Sequence, residues 1–112
     1  MDLVDKPVSK DQIEDFWKKY GAYIKLTIDI ENKLVVVGPE LHADGEKMLL
    51  EKGCKQINIW GGGINLRDKI IDTTAVLNLR SSAGNDSMEI LHKERRERFV
   101  NIAKETFAKL WL

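Results

Sequence analysis

Cysteine occurs once in this chain of 112 residues, at position 54. One thiol forms no internal disulfide and excludes a metal site built from several thiolates. A chain with no internal cross-link is expected in a reducing compartment, which predicts a cytoplasmic protein. Long apolar runs are also lacking: no stretch approaches the roughly 18–20 residues that a membrane span needs. The opening Met1-Asp2-Leu3-Val4-Asp5-Lys6-Pro7 has no apolar run of the kind a signal peptide carries. Net charge is absent too, with 18 basic against 18 acidic residues. Nothing global therefore draws the chain to nucleic acid or an anionic membrane, and neither partner is expected. Histidine occurs only at positions 42 and 92. There is no repeat, no linker and no low-complexity tract.

What remains is the balance of an ordinary globular domain, 43% hydrophobic and 32% charged. A chain this long buries roughly two-thirds of its unfolded surface without a staple. Residues 1–112 are read as one domain.

The first helix announces itself. Ser9 and Gln12 have capping-box spacing, and Val8 and Ile13 stand at hydrophobic-staple positions. Ile13, Phe16, Trp17 and Tyr20 recur at helical spacing, and Gly21 is the stop. Alternation follows: Ile24, Leu26, Ile28 and Ile30 point one way, and Tyr23, Lys25, Thr27 and Asp29 the other. Glu31-Asn32-Lys33 is a turn, and Leu34 to Val37 is a short buried strand ended by Gly38-Pro39.

A second helix is predicted over 43–52, with Gly53 at its end. Ile57 to Trp60 reads as a third strand, with Gly61-Gly62-Gly63 opening a loop. Ala75, Leu77 and Leu79 alternate with Val76, Asn78 and Arg80 as a fourth strand. The last helix carries Phe99, Ile102, Ala103, Phe107, Leu110 and Trp111 on one stripe. It starts either at Asp86, with Glu89 completing a capping box, or near His92. The predicted class is α+β, in the order α-ββ-α-ββ-α. It has a four-stranded, mainly antiparallel sheet with its helices on one face.

Polar clusters supply the candidate site. Glu40, His42, Asp44 and Glu46 fall within seven residues. Such a set can cap a helix, form an ion-paired network, or place His42, Asp44 and Glu46 around a divalent cation. The network is the favoured reading, and no cofactor is predicted, because one imidazole is few for a transition-metal site. Asn78 and Arg80 on one strand face, with Asn85 in the next turn, are placed to grip a small anion or to satisfy backbone groups. Trp60 is a candidate stacking platform, although core burial is the commoner fate. The triple glycine lacks the lysine of a phosphate loop and, with Leu66, breaks the dinucleotide fingerprint.

Three stretches, Glu40 to Glu46 (ELHADGE), Leu49 to Gly61 (LLEKGCKQINIWG) and Leu77 to Ile90 (LNLRSSAGNDSMEI), resemble a small prokaryotic family of uncharacterised proteins, a domain of unknown function. The resemblance spans about three-quarters of the chain. This sequence departs from that pattern at Cys54, where the family has serine, and at Arg80-Ser81, where it has Arg-Pro. It departs again after Trp60-Gly61, where the family has an early asparagine. The resemblance implies an α+β domain and brings no activity, cofactor or catalytic residue.

The function expected is that of a small binding or interaction module that self-associates as a homodimer. The alternative is a metal-dependent hydrolase-like enzyme using His42, Asp44 and Glu46. A nucleic-acid surface made of Arg80, Lys93, Arg95, Arg96 and Arg98 ranks last, because acids interleave the bases.

Overall fold

A computed structural model describes residues 1–112. The hairpin at its centre joins β2 (Tyr23–Asp29) to β3 (Leu34–Val37), with Leu26 opposite Val37 and Asp29 opposite Leu34. Asp29 fixes the turn. Its Oδ1 accepts from the Glu31 and Asn32 N–H groups at 2.9 and 3.0 Å, and its Oδ2 from Asn32 Nδ2 at 2.8 Å. An aspartate that hydrogen-bonds the next residues in this way makes the turn locally self-sufficient.

β1 (Asp2–Val4) pairs with β3, β4 (Ile59–Asn65) with β2, and β5 (Ile70–Asp72) with β4. The result is a five-stranded, wholly antiparallel sheet in the order β1-β3-β2-β4-β5. Three helices accompany it: α1 (Lys10–Tyr20), α2 (His42–Glu51) and α3 (Lys93–Thr106). The capping box at Ser9 and Gln12 is formed in both directions, at 3.1 and 2.8 Å. His92 is the N-cap of α3, so the later of its two predicted starts is the one used.

The class is as expected, but the architecture needs correction at three points. Helices cover both faces of the sheet, not one. Ile24, Leu26, Ile28, Val35, Trp60 and Ile64 share a core with Ile13 and Phe16 of α1 and with Phe99 and Ile102 of α3. Val36 and Ile59 point the opposite way and pack with Leu49 of α2 and with Cys54. Thr27 and Asp29, on that second face of β2, are fully buried.

Second, the triple glycine is the middle of β4, paired residue by residue with β2. Third, the predicted fourth strand does not form. Residues Val76–Asn78 make a short 3-10 turn, and Val76 and Leu79 are exposed. The strands absent from the sequence reading are β1 and β5, each three residues long. The order is therefore β-α-ββ-α-ββ-α. Two residues of the predicted apolar stripes, Trp17 and Trp111, are exposed.

Candidate functional site

Glycine in a central strand weakens it, so three in a row call for a steric reason. The neighbours supply one. A Cβ on Gly62 would run into the Phe99 ring and the Asp72 carbonyl. A Cβ on Gly61 would stand 2.8 Å from Ala75 Cβ and 3.0 Å from His42 Cδ2. A Cβ on Gly63 would run into the Tyr23 phenol. Gly62 thus admits Phe99 to the core, while Gly61 and Gly63 let His42 and Tyr23 lie flat against the opposite face.

On that face α2 covers only part of the sheet. Between the start of α2 and the segment 74–77 lies a groove of about 590 Å³. Leu41, Val76 and Met88, all exposed, form much of its rim, and His42, Tyr23 and Lys25 line it. His42 opens α2, and its Nε2 lies 2.7 Å from the Gly62 carbonyl oxygen, to which it donates. Burial, together with the nearby Lys25 ammonium, holds the imidazole below its ordinary pKa, so the ring is neutral at neutral pH.

Tyr23 donates to Asp72 Oδ2 at 2.7 Å, and the other carboxylate oxygen accepts from the Thr74 N–H at 3.1 Å. Burial, followed by that bond to Asp72, raises the phenol well above its ordinary pKa. Lys25 donates to the Glu40 carbonyl. Groups on four elements therefore meet where the His42 and Tyr23 rings cover Gly61 and Gly63. Sequence reasoning missed Tyr23, Lys25 and Asp72 here; the signal available was the glycine run, a strand stripped of side chains.

The candidates named from sequence go to three places. His42 lines the groove, and Glu40 stands exposed at its margin. Asp44 points to solvent. Glu46 turns under α2 to pair with Arg80 at 3.3 Å, both side chains being largely buried. His42, Asp44 and Glu46 thus diverge. No group of three or more His, Cys, Asp or Glu side chains is placed to share a metal ion, and the metal-hydrolase alternative is corrected on that ground.

Asn78, Arg80 and Asn85 spend their polar atoms inside the chain. Asn78 Oδ1 accepts from Gly61 N–H at 2.8 Å, and its Nδ2 donates to Gly61 O at 2.8 Å and reaches Thr73 O and Met88 O. Arg80 donates to the carbonyls of Leu77, Gln56 and Ile59 as well as to Glu46. Asn85 Nδ2 donates to Asn78 O at 2.7 Å, and its Oδ1 accepts from Leu91 N–H at 2.9 Å. Together they close the edge of β4 that β5 leaves open.

Trp60 is fully buried, with the Arg80 and Arg95 guanidiniums 4.7 and 5.2 Å from its ring centre. Three other basic residues of the last helix are also engaged. Lys93 pairs with Glu97, Arg98 with Glu31, and Arg96 donates to Ile90 O.

A family model described as a protein of unknown function (DUF5674) matches residues 2–106. The chain belongs to that family. No curated protein and no solved structure matches it. Membership in DUF5674 assigns no reaction, so the chemistry rests on the groove itself. No helix of the chain is long and apolar enough to cross a membrane.

Proposed function

We propose that this chain is a small binding module that takes an apolar-bodied ligand in the groove between the start of α2 and the segment 74–77. One observation carries the reading. A concavity of about 590 Å³ with an apolar rim runs between α2 and the 74–77 segment, and the His42 and Tyr23 rings that line it are seated where Gly61 and Gly63 carry no Cβ. Ligand sites are typically ~300–1,000 Å³, mostly apolar, with a few convergent polar groups. Here those groups are His42, Tyr23 and Lys25.

The test is titration with the uncharged dye N-phenyl-1-naphthylamine. Saturable, one-site binding is expected, weakened at least tenfold by Val76→Asp and Leu41→Asp. Both positions are exposed, so the folded state tolerates the change. Dye binding that ignores both substitutions, or none at all, overturns the reading.

Self-association extends the proposal. β5 leaves one edge unpaired, and Ile70 on it is exposed, which supports pairing with a second copy. A mass of twice 12.8 kDa in light scattering is the expected result, and a monomer at high concentration rejects it. The lone, buried thiol supports placement in the cytoplasm.

A further inference from the structure

The orientation of His42 says more about what the groove accepts. Its Cδ2–Nε2 edge faces the sheet: Nε2 is bonded to Gly62 O, and Cδ2 is the ring atom nearest the Cβ position of Gly61. The Nδ1 edge therefore faces away from the sheet. Nδ1 has no partner within the chain, and no buried side-chain nitrogen or oxygen lacks one, so Nδ1 is open to solvent. A ring nitrogen that donates to a backbone carbonyl fixes the tautomer, leaving the other nitrogen as an acceptor.

The charged groups around it are occupied or displaced. Lys25 of β2 is engaged by the Glu40 carbonyl, and Asp72 of β5 by Tyr23 and Thr74. The Glu40 carboxylate stands at the solvent margin.

Resting on the binding reading above, we propose that His42 Nδ1 is the acceptor that selects the ligand. The class taken is a small neutral molecule with an apolar body and one N–H or O–H donor. Lys25 and Asp72 lie beside the ring with opposite charges that offset each other, and both are already engaged, so the site offers no free counter-ion to a charged ligand. Leu41, Val76 and Met88 hold the body, and the donor meets Nδ1.

Two probes of equal shape separate the acceptor from the groove: indole, which has an N–H, and benzofuran, which has none. Binding is read from the Leu41, His42 and Val76 amide resonances of the intact chain at pH 7.5. Indole is expected to bind about fivefold tighter, the worth of one ordinary hydrogen bond. The preference disappears in His42→Phe. It also disappears in the unaltered protein once acid protonates the ring, because Nδ1 then becomes a donor. Nitrogen-15 shifts of His42 should report a protonated Nε2 and a bare Nδ1 at pH 7.5.

Equal binding of both probes overturns the acceptor assignment and leaves the binding module standing. A protonated Nδ1 at neutral pH does the same. Failure of both probes to move the Leu41, His42 and Val76 amides overturns both readings. If His42→Phe fails to fold, the acid titration and the tautomer measurement decide the question without it.

Discussion

Asn78 lies against Gly61 as a neighbouring strand would, its side-chain amide accepting from the glycine N–H and donating to its carbonyl, each at 2.8 Å. One side chain thus replaces one residue of a ladder on the open edge of β4. Asn78→Ala strips partners from the buried Gly61 N–H and carbonyl. A loss of about 3 kcal/mol is expected in urea unfolding, since each orphaned buried group costs ~1–3 kcal/mol. Asn78→Asp keeps the acceptor, loses the donor, and should fall well short of the native stability. A loss below about 1 kcal/mol for the alanine variant would show that water replaces the amide.

Phe99 and Phe107 are fully buried between the sheet and the helices, whereas Trp17 is 39% exposed. Alanine at either phenylalanine should cost about 3–5 kcal/mol. Trp17→Ala should cost less than either, despite its larger side chain. Equal losses at all three would show that Trp17 is covered in solution.

Gly63 and Tyr23 are coupled by exclusion, because a Cβ on the glycine occupies the place of the phenol. Gly63→Ala should destabilise by about 1–3 kcal/mol, as overpacking does. Added to Tyr23→Ala it should cost far less, because the clash is gone, and the cycle should be non-additive. Strict additivity would mean that the alanine disturbs the strand itself.

Asp29 gives acid sensitivity with a defined sign. Burial opposes its ionisation, but the Asn32 side chain, the Cys54 thiol and the backbone of Asn32 and Glu31 outweigh that and hold the carboxyl below its ordinary value. On acidification the unfolded chain then takes up this proton first. The stabilisation is complete above the ordinary carboxyl value of ~4 and is lost as pH falls through the folded value. Urea unfolding between pH 6 and 3 should show the decline, and Asp29→Asn should flatten it.

Cys54 behaves in the opposite sense. Burial and the neighbouring Asp29 push its thiol up to about 11 from 9.0. The native protein should be inert to an aromatic disulfide reagent at pH 8 and yield one thiol on denaturation. Above pH 9 the unfolded thiol ionises first, so stability declines as pH rises toward 11. Rapid labelling of the native chain would contradict the burial.

Much of the fold is written locally. The Ser9–Gln12 box, the alternation of β2 and the Phe99–Ile102 stripe each follow from residues within a few positions of one another, and local signals survive folding. The second helical layer was half-legible: Leu34 to Val37 is apolar on both faces, which already asks for cover on both sides.

The glycine run misled because propensity sees a missing side chain and cannot see the Phe99, His42 and Tyr23 rings that need the space. Residues 75–79 misled for the converse reason. They alternate like a strand, yet Asn78 and Arg80 close the sheet edge with side chains instead of backbone. The groove was legible only at Glu40 and His42, since most of its remaining lining comes from β2 and the 74–77 segment, far apart in sequence.

The two sides of the sheet carry unequal shares of the apolar packing. Seventeen buried residues make up the α1/α3 side and four the α2 side. Most of the cooperativity of folding resides on the first, so the second can vary at modest cost. Rim positions such as Leu41, Val76 and Met88 contribute little to the core, so substitutions there can reshape the groove at little cost in stability. The groove surface in this architecture is free to vary where the α1/α3 core is not.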